Sequence, residues 1–100
     1  MEKFEDLPLH DAVVKDFCFL WEQSVVEIHL SVFKTFKERA KPHLLKFYDV
    51  RELYCPQKCD WGMSAHVNSN EFKDGLYMIQ MQSGDVVQVT AGHFELTEIL

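Results

Sequence analysis

The feature that most constrains the fold of this chain is a run of alternating apolar and polar residues at 76–91, LYMIQMQSGDVVQVTA. Two alternating segments flank Ser83-Gly84-Asp85, a pattern typical of a β-hairpin with a tight turn. A three-residue loop in which Gly84 takes a positive φ is favoured over a two-residue turn. With an odd number of loop residues, odd-numbered residues of one strand pair with odd-numbered residues of the other. Such a register places the apolar residues of both strands on one face: Tyr77, Ile79, Met81, Val87 and Val89.

The segment 13–33 alternates in the same way and predicts a second hairpin, with its turn centred on Glu22-Gln23. An even number of loop residues, either two or four, keeps the apolar residues of both strands in one core. We expect the polar pair on the opposite face to be a surface ion pair worth at most about 1 kcal/mol. The register predicts three cross-strand pairs: Phe19 with Val26, Phe17 with Ile28, and Asp16 with His29.

The middle of the chain has less regular patterns. Residues 34–41, KTFKERAK, are charged and predict a loop or at most one to two helical turns, ended by Pro42. Residues 43–54 fit neither a two-residue nor a 3.6-residue period. Their length and aromatic content favour one strand with a bulge near Asp49.

The segment 61–67 alternates again and predicts a further strand. Its apolar positions share one face, so we expect Trp61 to pack in the core beside Met63, Ala65 and Val67. Residues 68–75 predict a polar return loop that ends in an Asp74-Gly75 turn.

These segments together predict a single all-β domain over residues 1–100, with about seven mostly antiparallel strands and little helix. One hundred residues with 47% apolar and 13% aromatic content suffice for one packed core. The final strand, at 93–100, has Phe94 and Leu96 facing inward and is the expected edge strand. The pattern leaves open whether the strands form a sandwich or a partly open barrel.

The formal net charge of −6 limits the classes of partner that we expect. Nucleic acids and anionic membranes are bound through basic patches, which this acidic sequence does not offer. Residues 1–11 lack the apolar core of a signal peptide, and no apolar run approaches the roughly 18 residues of a membrane-spanning helix. The three cysteines, Cys18, Cys55 and Cys59, fit a reducing compartment. We therefore expect a cytoplasmic protein that binds neither nucleic acid nor membrane.

The candidate metal ligands are two cysteines and two histidines: Cys55, Cys59, His66 and His93. A structural zinc site usually takes four Cys or His ligands in two closely spaced pairs, and this sequence has one such pair. Either histidine would join that pair only through tertiary contact. We therefore expect no metal and no other cofactor.

Catalytic candidates are equally sparse, and we expect no catalytic residue. Ser64 lacks the Gly-x-Ser-x-Gly context of a nucleophile elbow. Ser83-Gly84-Asp85 contains a hydroxyl and a carboxylate, but these residue types also form turns through side-chain to backbone hydrogen bonds. The adjacent His10 and Asp11 form the remaining polar dyad, which predicts either a local hydrogen-bonded turn or a polar site for a partner.

Three short motifs carry a resemblance to known sequences: Leu9-His10-Asp11-Ala12 before a strand, Trp61-Gly62-x-Ser64, and Gln82-Ser83-Gly84-Asp85. Together they resemble small uncharacterised bacterial all-β families, some of which are similar to immunity proteins of polymorphic-toxin systems. The resemblance spans most of the chain. It implies a bacterial, cytoplasmic domain that binds and neutralises a partner.

Two functions remain open at the level of the sequence. The first is a non-enzymatic protein-binding module, similar to an immunity protein, that uses an acidic surface or an exposed sheet edge. The second is a β domain that binds a small ligand or a metal, with Trp21 and Trp61 as walls of a pocket. Separately, the strand at 93–100 would allow a homodimer if it forms an uncovered sheet edge.

Overall fold

The computed structural model describes residues 2–35 and 37–99, which form two four-stranded antiparallel sheets packed on one core. The all-β prediction is confirmed, and the sheets form a sandwich rather than a closed barrel. One 3₁₀ turn, Phe4–Asp6, precedes the strands. The strands are β1 (Val13–Leu20), β2 (Val25–Val32), β3 (Lys41–Tyr48), β4 (Glu52–Tyr54), β5 (Val67–Lys73), β6 (Leu76–Met81), β7 (Val86–Thr90) and β8 (His93–Glu98).

The chain crosses between the two sheets twice, after β3 and after β7. The first sheet has the order β1-β2-β3-β8, and the second has the order β4-β7-β6-β5. The two crossings lie side by side, because the Gly92 N–H donates to the Tyr48 carbonyl at 2.8 Å. A Cβ at Gly92 would lie 3.1 Å from the Cβ of Asp49, so this corner favours a residue without a side chain.

The core is built from the inner faces of both sheets and from the N-terminal segment. Phe4 is only 2% exposed, and its ring centroid lies 5.0 Å from that of Tyr77 and 5.3 Å from that of Phe94. Burial of a Phe side chain contributes about 1.5–3 kcal/mol. The segment before β1 is therefore part of the core: Phe4, Leu7, Leu9 and Ala12 are all buried.

Both predicted hairpins have the predicted register. The three cross-strand pairs of the first hairpin are present, and its loop, residues 21–24, has four residues. In the second hairpin Tyr77 pairs with Val89 and Ile79 with Val87, around a turn in which Gly84 has a φ of +93°. The last strand is also at the predicted place, as the edge β8 of the first sheet.

The prediction of one bulged strand over residues 43–54 is wrong. The chain leaves the first sheet at Asp49, which has a φ of +55°, and enters the second sheet as β4. Two strands in different sheets need not share one alternation, which explains why no single period fitted. Pro42 does not end a helical turn but lies in β3 opposite Ser31, near the start of the strand, where proline is tolerated.

The prediction for residues 61–75 is also wrong. Trp61 and Met63 are 67% and 89% exposed, and the strand begins only at Val67. It then runs through the region predicted as a polar loop, and only the Asp74-Gly75 turn is as expected. β5 is an edge strand with most of its residues exposed, so it carries no apolar alternation.

Candidate functional site

A long irregular segment, residues 55–66, connects β4 to β5, and we call it the clamped loop. It is held by the carboxylate of Asp85, the residue immediately before β7. One carboxylate oxygen accepts a hydrogen bond from the Lys58 N–H at 2.8 Å, and the other accepts one from the Cys59 N–H at 3.0 Å. The Ser83 hydroxyl donates to the second oxygen at 2.8 Å.

Asp85 is suited to this role because it is a charged acceptor among donors. Asp85 and Ser83 are 7% and 2% exposed. The Lys58 N–H, the Ser83 hydroxyl and the Cys59 N–H together hold the pKa of Asp85 below its usual value, although burial acts in the opposite direction. Since hydrogen bonds to an ionised acceptor favour the charged form, Asp85 remains a carboxylate and anchors the loop.

The clamped loop also contacts the turn of the β6–β7 hairpin, through Trp61. The Trp61 N–H donates to the Ser83 carbonyl at 2.9 Å, and the indole lies over Gly84. A Cβ at Gly84 would lie 2.8 Å from Cδ2 of that indole. Gly84 therefore serves both the positive φ of the turn and the close approach of Trp61.

The clamped loop presents two large apolar side chains to solvent, those of Trp61 and Met63. Its backbone is held by the hydrogen bonds to Asp85 and by a hydrogen bond inside the loop, from the Gly62 N–H to the Cys59 carbonyl at 3.0 Å. The structure therefore combines an ordered backbone with exposed apolar groups. An ordered backbone loses less conformational entropy in any contact that such groups make.

A cleft of about 240 Å³ separates the clamped loop from β1. Its apolar lining includes Phe17, Met81 and Val87, and its polar lining includes Ser64 and Asp85. Cys55 and Cys59 also line it. Partial burial of the Cys55 sulfur, followed by the nearby Asp85 charge, raises the pKa of this thiol, so it stays protonated at neutral pH.

The cleft lies along an edge of the first sheet. At the start of β1, the Val14 N–H donates to the Ala65 carbonyl at 2.8 Å, and Val13 forms an antiparallel bridge with His66. The register then shifts between Val14 and Asp16, which marks a bulge at Lys15. Beyond the bulge, β1 pairs only with β2 among the described strands.

The predicted polar dyad, His10 and Asp11, forms a tie between the N-terminal segment and the second sheet. His10 Nδ1 lies 2.7 Å from the Asn68 carbonyl oxygen, and His10 Nε2 lies 3.5 Å from the Asp11 carboxylate. The Gln82 side-chain amide donates to the other Asp11 oxygen at 2.7 Å. The dyad itself lies in a turn, closed by a hydrogen bond from the Ala12 N–H to the Leu9 carbonyl at 2.9 Å, while its side chains contact residues far along the chain.

The four candidate metal ligands are not brought to one place. Cys55 and Cys59 line the cleft, whereas Nδ1 of His66 lies 3.2 Å from the Asp11 carbonyl oxygen. The His93 ring stacks on Tyr48 with centroids 4.5 Å apart. Among residues 2–35 and 37–99, no three His, Cys, Asp or Glu side chains are arranged to hold a metal ion.

The remaining candidates lie on the surface. Asp16 and His29 form the predicted contact, with Oδ1 and Nδ1 2.7 Å apart on an exposed face. Trp21 is 81% exposed and contacts Phe19, with ring centroids 5.8 Å apart. Trp21 and Trp61 do not line the cleft, so this cleft lacks the two walls that the small-ligand alternative would give it.

The sequence identified the Ser83-Gly84-Asp85 turn but not the anchor that it contains. Asp85 lies 27 residues from Lys58, and no local pattern links the two positions. The sequence also hides the length of the loop, because residues 61–67 alternate like a strand and leave only residues 55–60 as a predicted loop.

Comparison of this chain with protein-family models, with curated proteins and with solved structures gives no match. In the described part of the chain, no helix has the length and apolar character needed to cross a membrane. Function must therefore be argued from the geometry of the chain itself.

Proposed function

We propose that this chain is a non-enzymatic protein-binding module whose contact surface is centred on Trp61 and Met63. The observation that carries the proposal is the exposure of these side chains, 67% and 89%, on a loop held by hydrogen bonds to the buried residue Asp85. Trp and Met are enriched at protein–protein interfaces, and Trp is prominent among the residues whose truncation weakens binding most.

The anchoring of the loop strengthens this proposal. A mobile loop would lose conformational entropy on binding, whereas the clamped loop is already ordered by Asp85. Burial of Met63 alone would contribute about 1.5–3 kcal/mol of transfer free energy. The exposed side chains therefore offer binding free energy with little reorganisation of the backbone.

The charge of the chain bears on the kind of partner. A formal net charge of −6 favours association with a basic protein, because complementary charge raises the association rate. We propose a cytoplasmic module that neutralises such a partner in the manner of an immunity protein. The free thiols of Cys18, Cys55 and Cys59 support a reducing compartment.

The small-ligand alternative rests on the cleft beside β1 and has weaker support. Its buried polar group, Asp85, already accepts hydrogen bonds from Lys58, Cys59 and Ser83. A ligand that bound to this carboxylate would share it with the donors that hold the clamped loop. Native mass spectrometry of the purified chain tests this alternative, because a retained ligand would add a discrete mass.

Photo-crosslinking in the cells that produce the protein tests the proposed function. A benzophenone amino acid replaces Met63 in one variant and Thr97, on the far edge of the first sheet, in the control. We expect one discrete crosslinked protein from position 63 and none from position 97. Addition of Trp61→Ala to the position 63 variant should remove that product.

Equal crosslinking from both positions, or a product that survives Trp61→Ala, would contradict the proposal. A discrete ligand mass together with no crosslinked protein would favour the small-ligand alternative. Circular dichroism of each variant shows whether the β fold is retained.

A further inference from the structure

We propose that the second half of β1, Phe17–Leu20, receives an extended segment of the partner protein as an additional strand of the first sheet. This inference rests on the proposed function and specifies how the partner is bound. Strand addition to an exposed sheet edge provides affinity through main-chain hydrogen bonds and specificity through alternate side chains.

The four sheet edges differ in how they are protected. β4 has only three residues, β5 carries Glu71 and Lys73, and β8 carries Glu95 and Glu98. Short length and charged side chains are the usual means by which proteins keep sheet edges from pairing with other chains. In β1 the charged residues, Lys15 and Asp16, lie in the first half of the strand, whereas the sequence of the second half, FCFL, contains no charge.

At its first residues, β1 already pairs with an extended segment of the same chain on its open side. Ala65 and His66 lie beside Val13 and Val14 in an antiparallel arrangement, joined by the hydrogen bond from Val14. The chain then turns away into the clamped loop. Within the described residues, the backbone of Phe17–Leu20 pairs with β2 alone. The edge therefore accepts an extended chain at one end and is open at the other.

The side chains of this edge also lack cover. Val26 and Ile28 on β2 are 0% exposed, whereas their cross-strand partners Phe19 and Phe17 are only half-buried. The cleft opens directly beside Phe17. A strand added here would cover the two Phe rings, which supplies a driving force of about 25 cal/mol per Å² of apolar area.

These features define the chemistry of the occupant. It is an extended segment in which every second side chain is apolar and faces the cleft lining of Phe17, Met81 and Val87. It lacks proline at paired positions, because proline cannot donate to the sheet. The bulge and the charges at Lys15 and Asp16 limit pairing at the near end of the edge.

Panning of a random phage-displayed peptide library on the full chain tests this inference, with peptides of about 10 residues, the upper length of common strands. We expect the enriched sequences to alternate apolar and polar residues and to lack proline. Methylation of alternate backbone nitrogens in a synthetic enriched peptide should weaken binding at least about tenfold, because it removes the donors of the added strand.

Two variants locate the binding site on the chain. Cys18→Lys places a charge on the unprotected edge and should weaken the same peptide by at least about tenfold. The matched control, Thr97→Lys on the edge strand β8, should leave the affinity unchanged. Hydrogen–deuterium exchange should show slower exchange at Phe17–Leu20 and unchanged exchange at β5 and β8. Thermal unfolding of both variants separates loss of binding from loss of fold.

The other outcomes overturn the inference in distinguishable ways. Peptides that protect only the clamped loop and tolerate backbone methylation would overturn strand addition while leaving the proposed function in place. A library without any enriched sequence would overturn it as well, while crosslinking from Met63 independently decides the proposed function. A dimer in sedimentation that Cys18→Lys dissociates would assign the edge to a second copy of this chain instead.

Discussion

Two irregular segments lie against the sandwich, and they differ in where their apolar side chains lie. Residues 2–12 bury apolar side chains in the core, of which Phe4 and Leu9 are 2% and 0% exposed, and they add hydrogen bonds to β5 such as that from the Asp11 N–H to the Val67 carbonyl at 2.8 Å. The clamped loop is attached through the buried polar groups of Asp85 and Ser83, and its own large apolar side chains remain exposed. The first segment resembles part of a core, and the second resembles a contact surface.

The way in which a segment is attached decides whether its apolar side chains remain available to contact a partner. A segment held by its apolar side chains uses them for stability, so they cannot also contact a partner. A segment held by backbone N–H groups on a buried carboxylate keeps its side chains free. The clamped loop can therefore present Trp61 and Met63 on an ordered backbone, whereas residues 2–12 present mainly polar groups such as His10 and Asp11.

Removal of the apolar attachment should have the largest effect on stability. Phe4→Ala should lower the free energy of unfolding by about 3–5 kcal/mol, because it leaves a cavity among the core aromatic rings. The matched control is Phe33→Ala, since Phe33 is 37% exposed. Urea denaturation of both variants measures the difference, and equal losses would show that residues 2–12 are not held by the core.

The fit between the clamped loop and the hairpin turn should rank next. Gly84→Ala should lower the free energy of unfolding by about 1–3 kcal/mol, because alanine is strained at a positive φ. The loss should be larger still because the new methyl group would contact the Trp61 indole. Gly75→Ala is the matched control, because Gly75 has a φ of +82° with no heavy atom near the added Cβ. The excess cost at Gly84 should disappear in a Trp61→Ala background. An excess that persists there would contradict the contact.

The polar attachment should make stability dependent on pH. The folded pKa of Asp85 lies below the unfolded value of about 3.9, so its contribution is complete above that value and is lost as pH falls through the folded pKa. Asp85→Asn should flatten the fall in stability below about pH 4. It should also increase amide exchange in the clamped loop. Asp60→Asn, in the exposed part of the same loop, should change neither measurement.

The polar tie at the N-terminal segment should have the smallest effect. Gln82→Ala removes the hydrogen bond to the exposed Asp11 carboxylate and the longer one to the Val67 carbonyl, and it should lower the free energy of unfolding by only about 0.5–1.5 kcal/mol. Gln88→Ala on β7 serves as the control. A loss comparable with that of Phe4→Ala would mean that residues 2–12 are held by polar contacts, which would remove the contrast with the clamped loop.

The sequence alone determined the features that depend on neighbouring residues. Alternation and loop parity specified that Phe19 faces Val26 and that Ile79 faces Val87, since a slip of one residue would expose the apolar face of either hairpin. The all-β class and the turn at Gly84 followed from the same local physics. The Asp16–His29 contact also followed, because it is a consequence of the register.

The tertiary structure alone decided the features that depend on distant residues. The change of sheet at Asp49 left no periodic signal, because each strand alternates relative to its own sheet. Trp61 and Met63 alternate with polar residues as in a strand. They nevertheless face solvent, because the backbone before them is held as a loop by hydrogen bonds to Asp85, which lies far along the sequence. The open edge at Phe17–Leu20 also depends on the tertiary structure. Its pattern is that of any half-buried strand, and only the order of strands in the sheet leaves one of its sides unpaired.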